Sequence, residues 1–281
     1  DPLWSRGLGD VYKRQVWHNQ IPDWVTRKGD GMLVSDNTLY RNIFDHISSV
    51  AGRYSGKIKG WDVVNEAILD DGSYRENDFY KISADEYIFK SFEIAHKIDP
   101  NAELYYNDFS MYKPEKCDAA IRIANKILER GLRIDGIGLQ AHWGLDYPSI
   151  DEIETSILKI HEAGFRVHFT ELDIDVLPNL WEIEGADLSD NFKSNDQLNP
   201  YKSSLPDSIS DLLSNRYSEI FELFDKHNDK IDRVTFWGLS DGHSWKNDWP
   251  AKGRTNYPLL FDRENNPKKA YKDIMMLFNE I

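Results

Sequence analysis

Two glutamates carry the first chemical signal in this 281-residue chain. Glu66 lies in the run Trp61-Asp62-Val63-Val64-Asn65-Glu66-Ala67, and Glu171 in Phe169-Thr170-Glu171-Leu172-Asp173. Each stands where a short, strand-type apolar run ends. One such glutamate alone is most simply a solvated loop residue. Two on separate strand ends can do more. A protonated carboxyl can hand its proton to a leaving oxygen while an ionised one attacks the carbon it leaves. At the C-terminal strand ends of a parallel barrel, where catalytic residues gather, that division of labour suits cleavage of a glycosidic bond.

The elements that must position these groups follow from periodicity. Strand-type runs at Gly60–Asn65, Ala102–Asn107, Asp135–His142, Arg166–Asp173 and Arg233–Gly238 alternate with helical patterns. A partial strand precedes Trp17. Asp36 is the expected N-cap of a helix carrying Leu39, Ile43 and Ile47 inward. Further helices are marked by Ile88, Phe92 and Ala95; by Cys117, Ala120, Ala124 and Leu128; by Ile150, Ile153, Ile157 and Ile160; and by Leu213, Tyr217, Ile220 and Phe224. Pro267 is expected to open the last one, with Tyr271, Ile274 and Phe278 inward. Near-continuous apolar strands joined by helical crossovers predict a parallel sheet buried on both faces, hence an α/β fold. The count is six strands and six helices, against eight of each in a closed (β/α)8 barrel. Two long loops, roughly Val176–Pro206 and Ser240–Pro267, take up the remaining length.

Composition narrows the partners. A formal net charge of −14 disfavours nucleic acid and anionic membrane surfaces. The single cysteine, Cys117, excludes an internal disulfide and a cysteine metal cage. No apolar run is long enough to span a bilayer. His142, His168 and Asp173 lack helical metal-ligand spacing, and there is neither a phosphate-binding glycine loop nor a serine nucleophile elbow. Nine tryptophans and fourteen tyrosines suit either a large core or sugar-stacking surfaces.

The flanks of the two glutamates carry a resemblance. Trp61 through Ala67 resembles the acid/base motif of glycoside hydrolase family 10, and Thr170-Glu171-Leu172-Asp173 its nucleophile motif. Gly136-Ile137-Gly138-Leu139-Gln140-Ala141-His142 is similar to the family's strand-six signature. Trp237-Gly238 with Asp241 and Ser244-Trp245 is similar to its final one, and Val16-Trp17-His18-Asn19-Gln20 with Pro22 and Trp24 to the end of its strand three. The resemblance runs from about Val16 to Ile281. It implies an endo-acting β-1,4-xylanase with a retaining double-displacement mechanism, no cofactor and no metal. Xylan or xylo-oligosaccharide would be its substrate, and the protein a secreted or periplasmic monomer. A β-1,4-glucanase of the same clan and a non-catalytic carbohydrate-binding barrel are the competing readings.

Roles follow residue by residue from that resemblance. Glu66 is expected as acid/base and Glu171 as nucleophile. Asn65 should bond the 2-hydroxyl of the sugar at the cleavage point. His142 should contact Glu171, with Asp173 orienting its ring. Gln140 should point inward near the same site. Trp17, Trp237 and Trp245 should wall the sugar platform, Asn107 should line the leaving-group side, and Gln20 should support the site. His168 is expected to be structural, while His243 and Lys246 could meet substrate or only solvent.

The start of the chain departs from the family pattern. Asp10-Val11-Tyr12-Lys13-Arg14-Gln15 reads as a translated transposon end of the kind used in library preparation, so residues 1–15 are expected to be non-native and 16–281 to form the catalytic domain. Lys13 falls where the family carries a sugar-contacting histidine, and the strand-one Glu-Asn-x-x-Lys motif has no counterpart. The expectation is therefore an incomplete (β/α)8 TIM barrel holding strands three to eight, inactive as written.

Overall fold

A computed structural model describes residues 13–178, 198–250 and 252–279. Most of the predicted Val176–Pro206 loop and Asp1–Tyr12 lie outside them. Among the described residues there are seven strands, β1 (Lys13–Trp17), β2 (Gly60–Asn65), β3 (Glu103–Asp108), β4 (Gly136–Leu139), β5 (His142–Gly144), β6 (Arg166–Asp175) and β7 (Ile231–Phe236). Seven α-helices accompany them, α1 (Asp36–Tyr54), α2 (Asp78–Ser83), α3 (Glu86–Ile98), α4 (Pro114–Glu129), α5 (Ile150–Glu162), α6 (Asp207–Lys226) and α7 (Lys269–Asn279). The chain falls into two compact units. One holds the residues up to Gln140 with Ser156–His168, the other Ala141–Thr155 with Phe169–Ile281.

In the first unit β1, β2, β3 and β4 pair in that order, all parallel. Parallel pairing requires long crossovers, and α1, α3 and α4 lie in the crossovers between these strands. Burial on both faces explains the apolar strands: every residue of β2 and of β4 is buried. Helix α1 buries Leu39, Ile43, Ile47 and Ala51, one residue per turn, and packs on α3. Its N-cap is Ser35, whose side chain accepts from the Thr38 amide, so Asp36 is the first helical residue rather than the cap. Helix α2 escaped the periodicity reading because its six residues bury only Phe79.

In the second unit β5 and β6 pair in parallel and β7 pairs with β6. Its core is aromatic, with Phe169 stacked on Phe224 at 4.2 Å and Trp143 edge-on to Phe169 at 5.7 Å. Helix α5 opens with a reciprocal cap: Ser149 Oγ accepts from the Glu152 amide and the Ser149 amide donates to Glu152 Oε2. Pro267 does not open α7. It bridges to Phe261 two residues before the helix starts. Ile274 is buried as expected, but Phe278 is 39% exposed.

The predicted strand Asp135–His142 is two strands. Ala141 has φ 64°, a left-handed turn that breaks the ladder between Leu139 and His142. The seventh strand of the count arises here.

Gly136 is required where β4 approaches its neighbours. A Cβ there would lie 2.6 Å from both the Arg166 carbonyl oxygen and the Tyr105 ring. Gly136→Ala is expected to destabilise the fold by about 1–3 kcal/mol through overpacking against backbone that cannot move away. A downward shift of the urea midpoint at unchanged m-value would show it.

Candidate active site

The strand ends of the first unit come level by register. Trp17 pairs with Asn65, and Asn65 with Asn107. Glu66 follows directly and takes φ 58°, a left-handed conformation that costs free energy in a residue with a Cβ. The backbone around it is tied down. The Glu66 amide donates to the Asn107 carbonyl at 2.9 Å. The Ala67 amide donates to Tyr106 Oη at 3.1 Å, and Arg75 Nε donates to the Glu66 carbonyl at 3.1 Å.

The Glu66 side chain is oriented as firmly. Its Oε1 accepts from Asn65 Nδ2 at 3.0 Å and from Gln140 Nε2 at 2.9 Å. Asn65 Oδ1 accepts in turn from Asn107 Nδ2 at 2.8 Å and Gln140 Nε2 at 3.2 Å. With two amides on Oε1, a proton on Glu66 belongs on Oε2. Asn65 Nδ2 carries a second N–H beside the one given to Glu66.

In the second unit the β5/β6 register sets His142 opposite Asp173. His142 Nδ1 lies 2.9 Å from Asp173 Oδ1, and Nε2 lies 3.2 Å from Glu171 Oε2. Trp245 Nε1 donates to Asp173 Oδ2 at 2.8 Å, and Lys246 Nζ stands 3.5 Å from both Asp173 and Asp175. Glu171 is 1% exposed. Burial alone would push the His142 imidazole down, but Asp173 and Glu171 outweigh it and bring it up to about 8. Burial opposes ionisation of Asp173 as well, and His142 and Lys246 still hold it below the usual carboxylate range. A charged His142 donates from both nitrogens, one to each carboxylate.

The structure thus brings Asn65, Asn107 and Gln140 together around Glu66, and His142, Asp173 and Trp245 together around Glu171. Asn107 is completely buried, and its amide donates to Asn65. Gln140, expected beside His142's site, bonds Asn65 and Glu66, because the Ala141 turn separates the two neighbours. Trp237 is 38% exposed, and its ring and that of His142 stand T-shaped with centroids 6.5 Å apart. Half-buried Trp17 meets His18 edge-on. Gln20 sits in an exposed turn at φ 56°, and among the described residues its side chain makes none of these hydrogen bonds. Lys246 is buried at 5% exposure, while His243 is exposed. His168 is buried and stacks on Tyr105 at 4.1 Å.

Four residues were not singled out from sequence. Tyr106 and Arg75 hold the backbone at Ala67 and Glu66, Asp108 holds the Tyr106 hydroxyl, and none of the three belongs to a motif that marks it. His18 lies in the electrostatic field of Glu66 and Arg75. Burial lowers its pKa, Arg75 adds to the shift and Glu66 opposes it. Its place beside Trp17 at a strand end was a usable signal. Among the described residues no group of three or more His, Cys, Asp or Glu side chains is arranged to hold a metal ion.

The raised His142 pKa links stability to pH. A group more basic when folded contributes stability that is complete below its ordinary 6.5 and is lost as pH rises through about 8, here about 2 kcal/mol. Urea unfolding compared at about pH 6 and about pH 9 is expected to show this loss. His142→Asn should abolish that part of the difference.

Comparison with known proteins extends the geometry. The profile of glycosyl hydrolase family 10 matches residues 13–277. Endo-1,4-beta-xylanase A of Xylanibacter ruminicola is 45% identical over 263 residues, spanning 94% of this chain and 71% of that protein. An endo-1,4-beta-xylanase of Geobacillus stearothermophilus is 38% identical over 91% of this chain and 73% of its own length. A GH10 endoxylanase from a sugarcane soil metagenome superposes with TM-score 0.87 at 43% identity, covering 94% of this chain and 75% of that one. A mutant protein in complex with xylotriose superposes with TM-score 0.81 at 33% identity, covering 94% and 77%. Parallel strands alternating with helices, together with these likenesses, give the α/β fold of the (β/α)8 barrel. The chain belongs to glycosyl hydrolase family 10.

Proposed function

We propose that this protein cleaves internal β-1,4-xylosidic bonds of xylan with retention of configuration, with Glu66 as acid/base and Glu171 as nucleophile. The observation that carries the reading is the contrast between the two carboxyls. Glu66 Oε1 is taken by two amides, which leaves Oε2 to carry a mobile proton. Glu171 faces His142, whose second nitrogen is held by Asp173, so its Oε2 meets a donor fixed in direction. The names of the relatives supply the substrate class.

In the first step the Glu66 proton passes to the glycosidic oxygen as its bond to C1 breaks. A Glu171 oxygen forms the new bond to C1. In the second, Glu66 takes a proton from water, the hydroxide oxygen bonds C1, and the Glu171–sugar bond breaks, restoring both residues. The second N–H of Asn65 suits the sugar's 2-hydroxyl oxygen. A xylan chain is too large to cross a membrane, which places the reaction outside the cytoplasm.

Two measurements on the full-length protein test this. Proton NMR of the first-formed product is expected to show the β-anomer; an initial α-anomer would mean inversion. Glu171→Ala should abolish turnover, whereas Glu66→Ala should still release good aryl leaving groups and, with added azide, yield a β-glycosyl azide.

Substrate choice rests on the tryptophans. Xylose lacks the exocyclic CH2OH of glucose, and Trp237 and Trp245, read as walls of the subsite, would crowd that group. Trp237→Ala is expected to narrow the kcat/KM gap between xylo- and cello-oligosaccharides by about 10-fold, within the range of a lost steric contact. An unchanged ratio would put the discrimination elsewhere.

A further inference from the structure

Behind Glu66 lies a chain of buried polar groups that contributes nothing to a sugar surface. Tyr106, Asp108 and Lys116 are each 0% exposed. Tyr106 Oη donates to Asp108 Oδ2 at 2.6 Å, so its lone pair is turned toward the Ala67 amide, which donates to it. Asp108 Oδ1 is paired with Lys116 Nζ at 3.0 Å, and Lys116 also reaches Asp70 at 3.1 Å. The ammonium sits 3.5 Å from the centre of the Phe109 ring. The Asp108 carbonyl accepts from the Gln140 amide at 3.0 Å, and Gln140 is one of the two donors on Glu66 Oε1.

This arrangement is costly, since two opposite charges and a phenol have been taken out of water. Burial pushes the Asp108 carboxyl up to about 6 and the charge of Glu66 adds to that, with Lys116 and Tyr106 opposing. An apolar filler would serve a purely structural role as well or better. What the polar chain delivers is direction. It ends on the amide of the residue after Glu66, whose own backbone is held in a left-handed conformation.

We propose that Tyr106, held by Asp108 and Lys116, is a positioning residue for the acid/base: its hydroxyl clamps the Ala67 amide and so fixes the strained Glu66 backbone that aims Oε2 at the leaving oxygen. The inference rests on Glu66 being the acid/base. Its consequence is selective. Misaiming the acid harms substrates whose leaving group needs a proton and spares those that do not.

The test is Tyr106→Phe in the full-length protein, measured as kcat/KM on xylohexaose and on 2,4-dinitrophenyl β-xylobioside. That quantity reports the first step, and the ratio of the two cancels any difference in the folded fraction. Loss on xylohexaose is expected to exceed loss on the activated aryl glycoside by about 10-fold or more, part of the range over which general acid catalysis operates. Asp108→Asn, which keeps an acceptor for Tyr106 Oη, should shift the ratio in the same direction by less. Tyr105→Phe, whose hydroxyl bonds Glu103 instead, should leave it unchanged. Equal losses on both substrates in Tyr106→Phe, alongside a selective loss in Glu66→Ala, would overturn the positioning role and leave the reading of Glu66 intact. Equal losses in Glu66→Ala itself would overturn that reading and the inference with it.

Discussion

A charge buried in protein must be neutralised where it stands, and that constraint shapes both carboxylate sites of this chain. Asp173 is 0% exposed and survives as an anion only because a histidine, a tryptophan N–H and a lysine surround it. The same requirement makes His142 cationic near neutral pH, and a cationic His142 gives Glu171 a hydrogen-bond donor rather than a competing lone pair. In the other unit, Asp108 is tolerated because Lys116 and Tyr106 meet it. None of these groups could be exchanged singly, since each removal would strand a partner without compensation.

The strand ends translate that electrostatics into aim. Parallel ladders in fixed register bring Trp17, Asn65 and Asn107 level in one unit and His142 and Asp173 level in the other. Where the ladders stop, the backbone turns into the left-handed region, at Glu66 and at Ala141. Such turns persist only where the surroundings over-determine them. Around Glu66 the Asn107 carbonyl, the Tyr106 hydroxyl and the Arg75 guanidinium do so. Ala141 lets adjacent residues serve different carboxylates, Gln140 bonding Glu66 and His142 bonding Glu171.

The two glutamates consequently differ in kind despite identical chemistry. Glu66 is partly exposed, with one oxygen occupied by neutral amides. Glu171 is almost wholly buried against a charged imidazole. An exchangeable proton needs access to the leaving group and to water. A nucleophile needs a fixed charge and a fixed direction.

Much of this was legible in the residues. Apolar strand runs, the helical spacing of Leu39, Ile43 and Ile47, and polar residues at strand ends are local patterns, and local patterns survive in one dimension. They sufficed for the α/β class and the alternation of strands and helices. Other features failed to show because their causes are not local. The break at Ala141 is a backbone angle imposed on an ordinary residue, so Asp135–His142 read as one strand. Helix α2 is too short to have a period, and Ser35 outcompeted Asp36 as cap because its hydroxyl reaches the Thr38 amide. Gln140, Asn107, Lys246 and Tyr106 received their partners from residues as much as 75 positions away. Residue types thus determined which chemistry was possible. Only the tertiary structure decided which Glu66 oxygen the two amides occupy and which groups hold the residue there, because a hydrogen bond is directional and its partner is chosen by packing rather than by order along the chain.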